Sequence, residues 1–234
     1  MSDYFFVWLG SGRTRKIKGI SQKCIFLDRA LRAGLPVPGG SILLDWFFQL
    51  AVEEGVVIVQ DSGVCIDKPV ALADLLYTAV RHPRFDQPAA IRTAFTPALP
   101  KSIVELNCDL NDPQVLANVL RQAWTAVSPT DETIRRDLIL MKMVDVVTEG
   151  TAVLSPDQQS DNTTILNQAD TLPIPPLKRW GRSDENLPEY GRRLQKLLRG
   201  VRRTFGDKVG EVVWADDGRI CWILQLSETG SNEQ

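Results

Sequence analysis

Between Ile17 and Ser41 the chain reads IKGISQKCIFLDRALRAGLPVPGGS, and this run constrains the fold more than any other. Cys24, Leu27 and Leu31 recur at the spacing of one helix face, so its middle is a helix, and Gly34 stops it. Pro36 and Pro38 then hold the chain extended, because each fixes φ and removes a donor. Gly39-Gly40 lets the chain turn sharply. A Lys-Gly turn, a helix and a Gly-Leu-Pro-Val-Pro-Gly turn therefore follow one another in a single short unit.

Around this unit there is enough chain for one large domain or two small ones. The chain has 234 residues, of which 44% are apolar and 24% charged, an ordinary balance for a soluble globular protein. A formal net charge of -2 argues against a globally basic nucleic-acid binder and leaves local basic patches open. Cys24, Cys65, Cys108 and Cys221 form no C-x-x-C pair, so neither a zinc knuckle nor a redox motif is indicated, and buried reduced thiols are expected. The segment YFFVWLG, residues 4–10, is too short to span a bilayer and lacks a basic flank and a cleavage site. It reads as the first strand of a soluble, cytoplasmic protein with no membrane partner.

Ile42 to Val52, dense in apolar and aromatic residues, reads as a buried helix. Val56 to Ile66 reads as a hairpin around Asp61-Ser62-Gly63, and Ala71 to Val80 as a helix. Ala89 to Thr96 and Ile103 to Asn111 are strand candidates, and Asp112-Pro113 opens a helix with Leu116, Leu120, Ala123 and Trp124 on one side. Leu138 to Val147 is an apolar strand that Thr151 to Ser155 is expected to pair with across Glu149-Gly150. From Pro156 to Pro188 the polar, proline-containing composition predicts a long loop that contributes little core. Leu194, Leu197, Leu198, Val201 and Phe205 then mark the inner face of a helix whose outer face carries Arg192, Arg193, Lys196, Arg199, Arg202 and Arg203. That outer face reads as a solvated surface rather than a nucleic-acid site. Two apolar runs flanking Asp216-Asp217-Gly218 predict a closing hairpin. His82, the single histidine, is expected at the surface.

The Ile17 to Ser41 unit, taken with GEVVWADDGRICWILQL at residues 210–226, resembles the ATP-grasp nucleotide-binding part of the phosphoenolpyruvate synthase and pyruvate phosphate dikinase family, shortened and degenerate. Lys18-Gly19 matches the second half of the family's Gly-Gly-Lys-Gly turn, with Ile17 in place of a glycine. Ile91-Arg92-Thr93-Ala94 resembles the family's Val-Arg-Ser-Ser strand. FTPALPKS then stands where the family carries a glycine-rich cover for the phosphates. Lys142-Met143-Val144 resembles a Gln-x-Met-Val strand end, and Ser155-Pro156-Asp157 stands at a Thr-x-Asp-Pro-like element. Gln225 matches the family's Leu-Gln-x-Arg-Pro segment, with Ser227 in the arginine's place. Glu211 lies two residues farther from Trp214 than the family's glutamate does. Either a small bulge absorbs that offset, or Val213 occupies the glutamate's position.

The resemblance implies an α+β, ATP-grasp-like fold of two subdomains, 1–98 and 99–234, with mixed or antiparallel sheets, flanking helices and a long loop at 156–188. It implies ATP and Mg2+ as cofactors, with Lys18 and Arg92 on the phosphates and Glu211 and Gln225 on the metal. It also implies a phosphohistidine-domain protein or other protein partner, to whose histidine an ATP phosphoryl group would pass. The competing reading is a non-catalytic scaffold that serves as an interaction or regulatory module, since a fold does not fix a function.

Overall fold

The structure, a computed structural model, describes residues 4–61, 63–98, 103–128, 131, 133–154, 160–166, 171–178 and 181–228. It is an α+β protein whose chain divides into two compact units. The first comprises Met1–Cys24 with Gly39–Met143, the second Ile25–Pro38 with Val144–Gln234.

In the first unit the elements are β1 (Phe6–Trp8), the start of α1 (Gln22–Arg32), β2 (Gly40–Leu43), α2 (Asp45–Glu53), β3 (Ile58–Gln60), β4 (Gly63–Cys65), α3 (Pro69–Asp74), β5 (Ala89–Thr93), β6 (Val104–Cys108), α4 (Pro113–Thr125) and β7 (Leu138–Lys142). Five strands form one antiparallel sheet in the order β1-β2-β7-β5-β6, and β3 and β4 make a separate hairpin. Strand alternation turns Leu138, Leu140, Ile91 and Leu43 to one side. There they join Phe47, Leu72, Leu76, Leu116, Leu120 and Trp124 in a single buried cluster. The Trp124 indole lies 5.1 Å from the Phe48 ring and 6.2 Å from the Phe47 ring, centroid to centroid. Each such large side chain contributes roughly 1.5–3 kcal/mol on burial. Asp112 fixes the start of α4: its Oδ1 accepts from the Gln114 and Val115 amides at 2.7 and 3.3 Å, with Pro113 at the first helical position.

Two expectations for this unit are corrected. The predicted helix from Ile42 begins only at Asp45, because Gly40 to Leu43 are claimed as a strand by partners on both sides. A Cβ at Gly40 would lie 2.1 Å from the Leu140 carbonyl oxygen, so only glycine allows β2 and β7 this approach. Likewise, β7 does not pair with the segment after Glu149-Gly150. It ends at Lys142, between β2 and β5, and the Met143 amide donates to the Pro88 carbonyl at 3.2 Å.

The second unit holds the rest of α1, then β8 (Thr148–Val153), β9 (Asp161–Ile165), β10 (Thr171–Ile174), α5 (Glu189–Phe205), β11 (Val209–Asp216) and β12 (Cys221–Glu228). Its antiparallel sheet runs β10-β9-β8-β11-β12. Gly34, at φ +77°, ends α1 as the periodicity predicts, and the Leu35 amide reaches back to the Ala30 carbonyl at 3.0 Å in a Schellman-type cap. The Pro36 carbonyl then accepts from the Ile223 amide at 2.8 Å, which ties the Pro-Val-Pro segment to β12. On α5, Leu194, Leu197, Leu198, Val201 and Phe205 are buried, and the Phe205 ring packs edge-on against Phe26 at 5.3 Å.

The stretch 156–188 is not one long loop, because it contains β9 and β10. The polar sequence of β9 hides it: of its three inward residues, Asp161, Thr163 and Ile165, two are polar, and all are buried. Asp161 can be buried because Arg202 of α5 clasps both its oxygens. Arg193 holds buried Asp216 in the same way, at 2.7 and 2.8 Å. Two arginines of the predicted solvated face are thus internal ion-pair partners. The expected element at Ser155-Pro156-Asp157 lies outside the described residues.

Candidate functional site

Glu211 and Gln225, the expected metal ligands, lie on adjacent strands of the second unit. Alternation along β11 and β12 sends Val212, Trp214, Ile223 and Leu226 to the buried side, while Glu211, Val213, Gln225 and Ser227 are partly exposed on the other. Thr151 of β8 pairs with Val213 and adds a hydroxyl to this face. Across the hairpin Glu211 pairs with Ser227 and Val213 pairs with Gln225. Glu211 and Gln225 are therefore diagonal neighbours, within the common reach of long side chains.

The ladder also locates the offset seen in the sequence. Its two irregularities fall between Val209 and Glu211 and between Val213 and Trp214. The first places an extra residue, Gly210, in β11. The second places Leu224 as an extra residue in β12, since Trp214 pairs with Ile223 while Val213 pairs with Gln225. No extra residue lies in β11 between Glu211 and Trp214, so an apolar side chain stands opposite Gln225.

The Gln225 amide nitrogen donates to Ser227 Oγ at 3.4 Å, and no described residue donates to its carbonyl oxygen. Magnesium takes one or two carboxylates, keeps several waters and completes its shell with substrate phosphates. One carboxylate, one amide oxygen and one hydroxyl on a partly exposed face fit that demand. Among the described residues no three His, Cys, Asp or Glu side chains converge on a common point, so this face offers no cage for a cation without phosphate oxygens.

Lys18 and Arg92 lie in the first unit. Lys18 is exposed in a turn closed by Gly19, whose φ of +76° favours glycine. A Cβ at Gly19 would lie 4.0 Å from Arg135 Cδ, so this turn sits beside an arginine remote in sequence. Arg135 Nε donates to Asp137 Oδ2 at 2.6 Å, and its guanidinium lies 4.8 Å from the Trp46 ring centre. Its Nη2 is buried without a hydrogen-bond partner. Arg135 is thus a cation beside the Lys18-Gly19 turn, a position that only the fold supplies. Arg92 is half-buried on β5, an inner strand, opposite Ile139 of β7 and Val104 of β6.

The neighbouring Asp45 and Asp137 lock α2 to β7. Asp137 Oδ1 accepts from the Asp45 amide at 3.0 Å, and Asp45 Oδ1 accepts from the Arg136 amide at 2.9 Å. Burial pushes the Asp137 carboxyl above its ordinary range, against the lowering effect of Arg135.

His82 is not at the surface, contrary to the sequence expectation. It is buried among the rings of Phe6, Trp8, Tyr77 and Phe85, at centroid distances of 4.7–6.3 Å. Its Nδ1 lies 2.8 Å from the Pro83 carbonyl, which can only accept, so Nδ1 carries the proton. Nε2 is then the acceptor for the buried Ser41 hydroxyl at 2.8 Å. Burial lowers its pKa to about 4. Both nitrogens are engaged and withdrawn from solvent, which makes His82 a core group rather than a phosphoryl carrier. The four cysteines are free thiols, with Cys24, Cys108 and Cys221 buried, as the absence of close pairs predicts.

Among the described residues no helix is long and apolar enough to cross a membrane. The chain matches no protein-family profile and no curated protein sequence. In structure it is similar, at low identity, to D-alanine–D-alanine ligase from Bacillus anthracis, with a TM-score of 0.47 and 12% identity over 94% of this chain and 58% of that one. It is similar also to N5-carboxyaminoimidazole synthase from Aspergillus clavatus, with a TM-score of 0.44 and 13% identity over 91% and 45%. A third similar structure is the L-amino acid ligase from Bacillus licheniformis, with a TM-score of 0.45 and 11% identity over 92% and 42%. The chain spans about half the length of these proteins.

Proposed function

We propose that this chain is a nucleotide-binding module of the phosphoenolpyruvate synthase and pyruvate phosphate dikinase type, which takes ATP with magnesium. The observation that carries this reading is the shared open face of β11 and β12. There Glu211 and Gln225 are diagonal neighbours, and the Gln225 carbonyl oxygen is left for a cation. Lys18 and Arg92 serve the phosphates. Lys18 is an exposed point charge on a glycine-closed turn, and Arg92 is a planar fork suited to paired phosphate oxygens. Bound magnesium would neutralise phosphate charge.

A specific observation favours a second reading. Val213, not a carboxylate, stands opposite Gln225, and FTPALPKS replaces the glycine-rich cover of the related family. Transfer of the γ-phosphoryl group to a histidine of a partner protein would break its bond to ADP and form a P–N bond. Without that cover, the backbone donors expected to cradle the phosphates are missing. On this second reading the chain is a non-catalytic scaffold whose role is to bind or regulate another protein.

Isothermal titration of ATP with magnesium into the protein, its Lys18→Ala variant and its Gln225→Ala variant separates the two. Saturable binding weakened by both substitutions supports the nucleotide module. Absence of binding at millimolar ATP selects the scaffold.

A further inference from the structure

Past Thr93, where β5 ends, the chain stays beside the approach to β7. The Ala94 amide donates to the Asp137 carbonyl at 2.9 Å. Thr96 and Arg135 then exchange backbone hydrogen bonds at 3.0 and 2.8 Å. This bridge keeps the register in which Arg92 faces Ile139 and Thr93 faces Leu138. Alternation therefore carries Arg92, Thr96, Arg135 and Asp137 to one side, and Ile91, Phe95 and Leu138 to the other, where they enter the apolar cluster.

Thr96 and Arg135 thus present their side chains together, on Cα atoms about 5.5 Å apart as in any hydrogen-bonded antiparallel pair. Each holds a buried polar atom without a hydrogen-bond partner, the Thr96 hydroxyl oxygen and Arg135 Nη2. Two such atoms in paired residues call for a shared acceptor. Arg135 is already oriented to receive one. Asp137 Oδ2 takes its Nε at 2.6 Å, the Trp46 ring centre lies 4.8 Å from its guanidinium, and the Gly19 turn lies against its Cδ. The other Asp137 oxygen accepts from the Asp45 amide, so the carboxylate leaves the forked end of the guanidinium unengaged. The Arg135 side chain is 15% exposed and Thr96 is partly exposed, which puts the two orphaned atoms close beneath the surface.

We propose that Arg135 and Thr96 form a phosphoryl-binding subsite beside the Lys18 turn, an assignment that rests on the nucleotide reading. Arginine and lysine can only donate, and a hydroxyl can donate as well as accept. Such a set suits a group that only accepts and carries negative charge. The forked end of a guanidinium matches two oxygens of one phosphoryl group. The Thr96 hydroxyl donates to the same group, and exposed Lys18 adds a mobile point charge from the turn. Arg92, four residues before Thr96 on the same side of the sheet, extends the cationic surface along the strand.

The test is calorimetric titration of the full chain with ATP and with inorganic tripolyphosphate, both in magnesium. Thr96→Val removes an orphaned hydroxyl and keeps the shape, so its melting temperature should equal or exceed the parent's. Its affinity for both ligands should nevertheless fall about tenfold. Arg135→Gln should lower both affinities tenfold or more. Should Arg135→Gln melt early because Asp137 loses its partner, Thr96→Val carries the test. ATP binding that Lys18→Ala weakens, but that Thr96→Val and Arg135→Gln leave as in the parent, overturns the subsite and keeps the nucleotide reading. A parent that binds neither ligand overturns both. Weakened ATP binding with tripolyphosphate binding unaltered would move the contact to the base or ribose, and overturns the subsite as well.

Discussion

Val213 stands directly across the β11–β12 ladder from Gln225, while Glu211 sits one pair farther along, opposite Ser227. The strongest oxygen donor on this face is thus displaced by two residues from the position that would chelate a cation with the glutamine. Val213→Glu places a carboxylate there, with Glu211 still beside it. We expect this single change to tighten magnesium-dependent ATP binding about tenfold, or ~1.4 kcal/mol, with little effect when magnesium is chelated. Equal affinity of the variant and parent by calorimetry would show that this face does not hold the metal.

The pair made by Ser41 and His82 sets a pH dependence. Burial holds the imidazole pKa at about 4 in the folded protein, against about 6.5 in the unfolded chain. The unfolded state therefore takes up a proton first as pH falls. The contribution is fully present above pH 6.5 and is lost progressively toward pH 4, amounting to roughly 3 kcal/mol. Urea unfolding at pH 7 and pH 4.5 should show this loss in the parent and a smaller one in His82→Gln. An identical loss in both would assign it to carboxylates instead.

Asp161 is buried on β9 and depends on Arg202 for its charge compensation. Arg202→Met should destabilise the protein by about 3–5 kcal/mol, because it strands a buried carboxylate. Asp161→Leu added to it should recover much of that loss. Chemical denaturation of the two variants checks this, and a double variant no better than the single one would place the cost in packing around the arginine stem.

Much of the secondary structure is written in local patterns. The apolar stripes of α4 and α5, the Gly34 stop of α1 and the Asp-Gly turn between β11 and β12 each follow from residues within a few positions of one another. The features that differ from expectation depend on distant partners. β9 looks like loop because its inward Asp161 and Thr163 are polar, and the burial of Asp161 is compensated by Arg202, 41 residues on. β2 looks like the start of a helix because its claim to strand pairing comes from β1 on one side and from β7, nearly a hundred residues later, on the other. His82 looks exposed because Phe6, Trp8, Tyr77 and Phe85 gather around it only in three dimensions. At the candidate site, the identities of Lys18, Arg92, Glu211 and Gln225 rest on motif resemblance, whereas the extra residue at Gly210 and the pairing of Val213 with Gln225 belong to the ladder.

The most direct test of the nucleotide reading is the melting temperature of the purified chain across an ATP titration, with and without magnesium. A ligand that binds only the folded state must raise stability by mass action. The account requires a saturable, magnesium-dependent rise that Lys18→Ala and Gln225→Ala each diminish, and no rise with magnesium alone. A melting temperature indifferent to millimolar ATP in the presence of magnesium would contradict it.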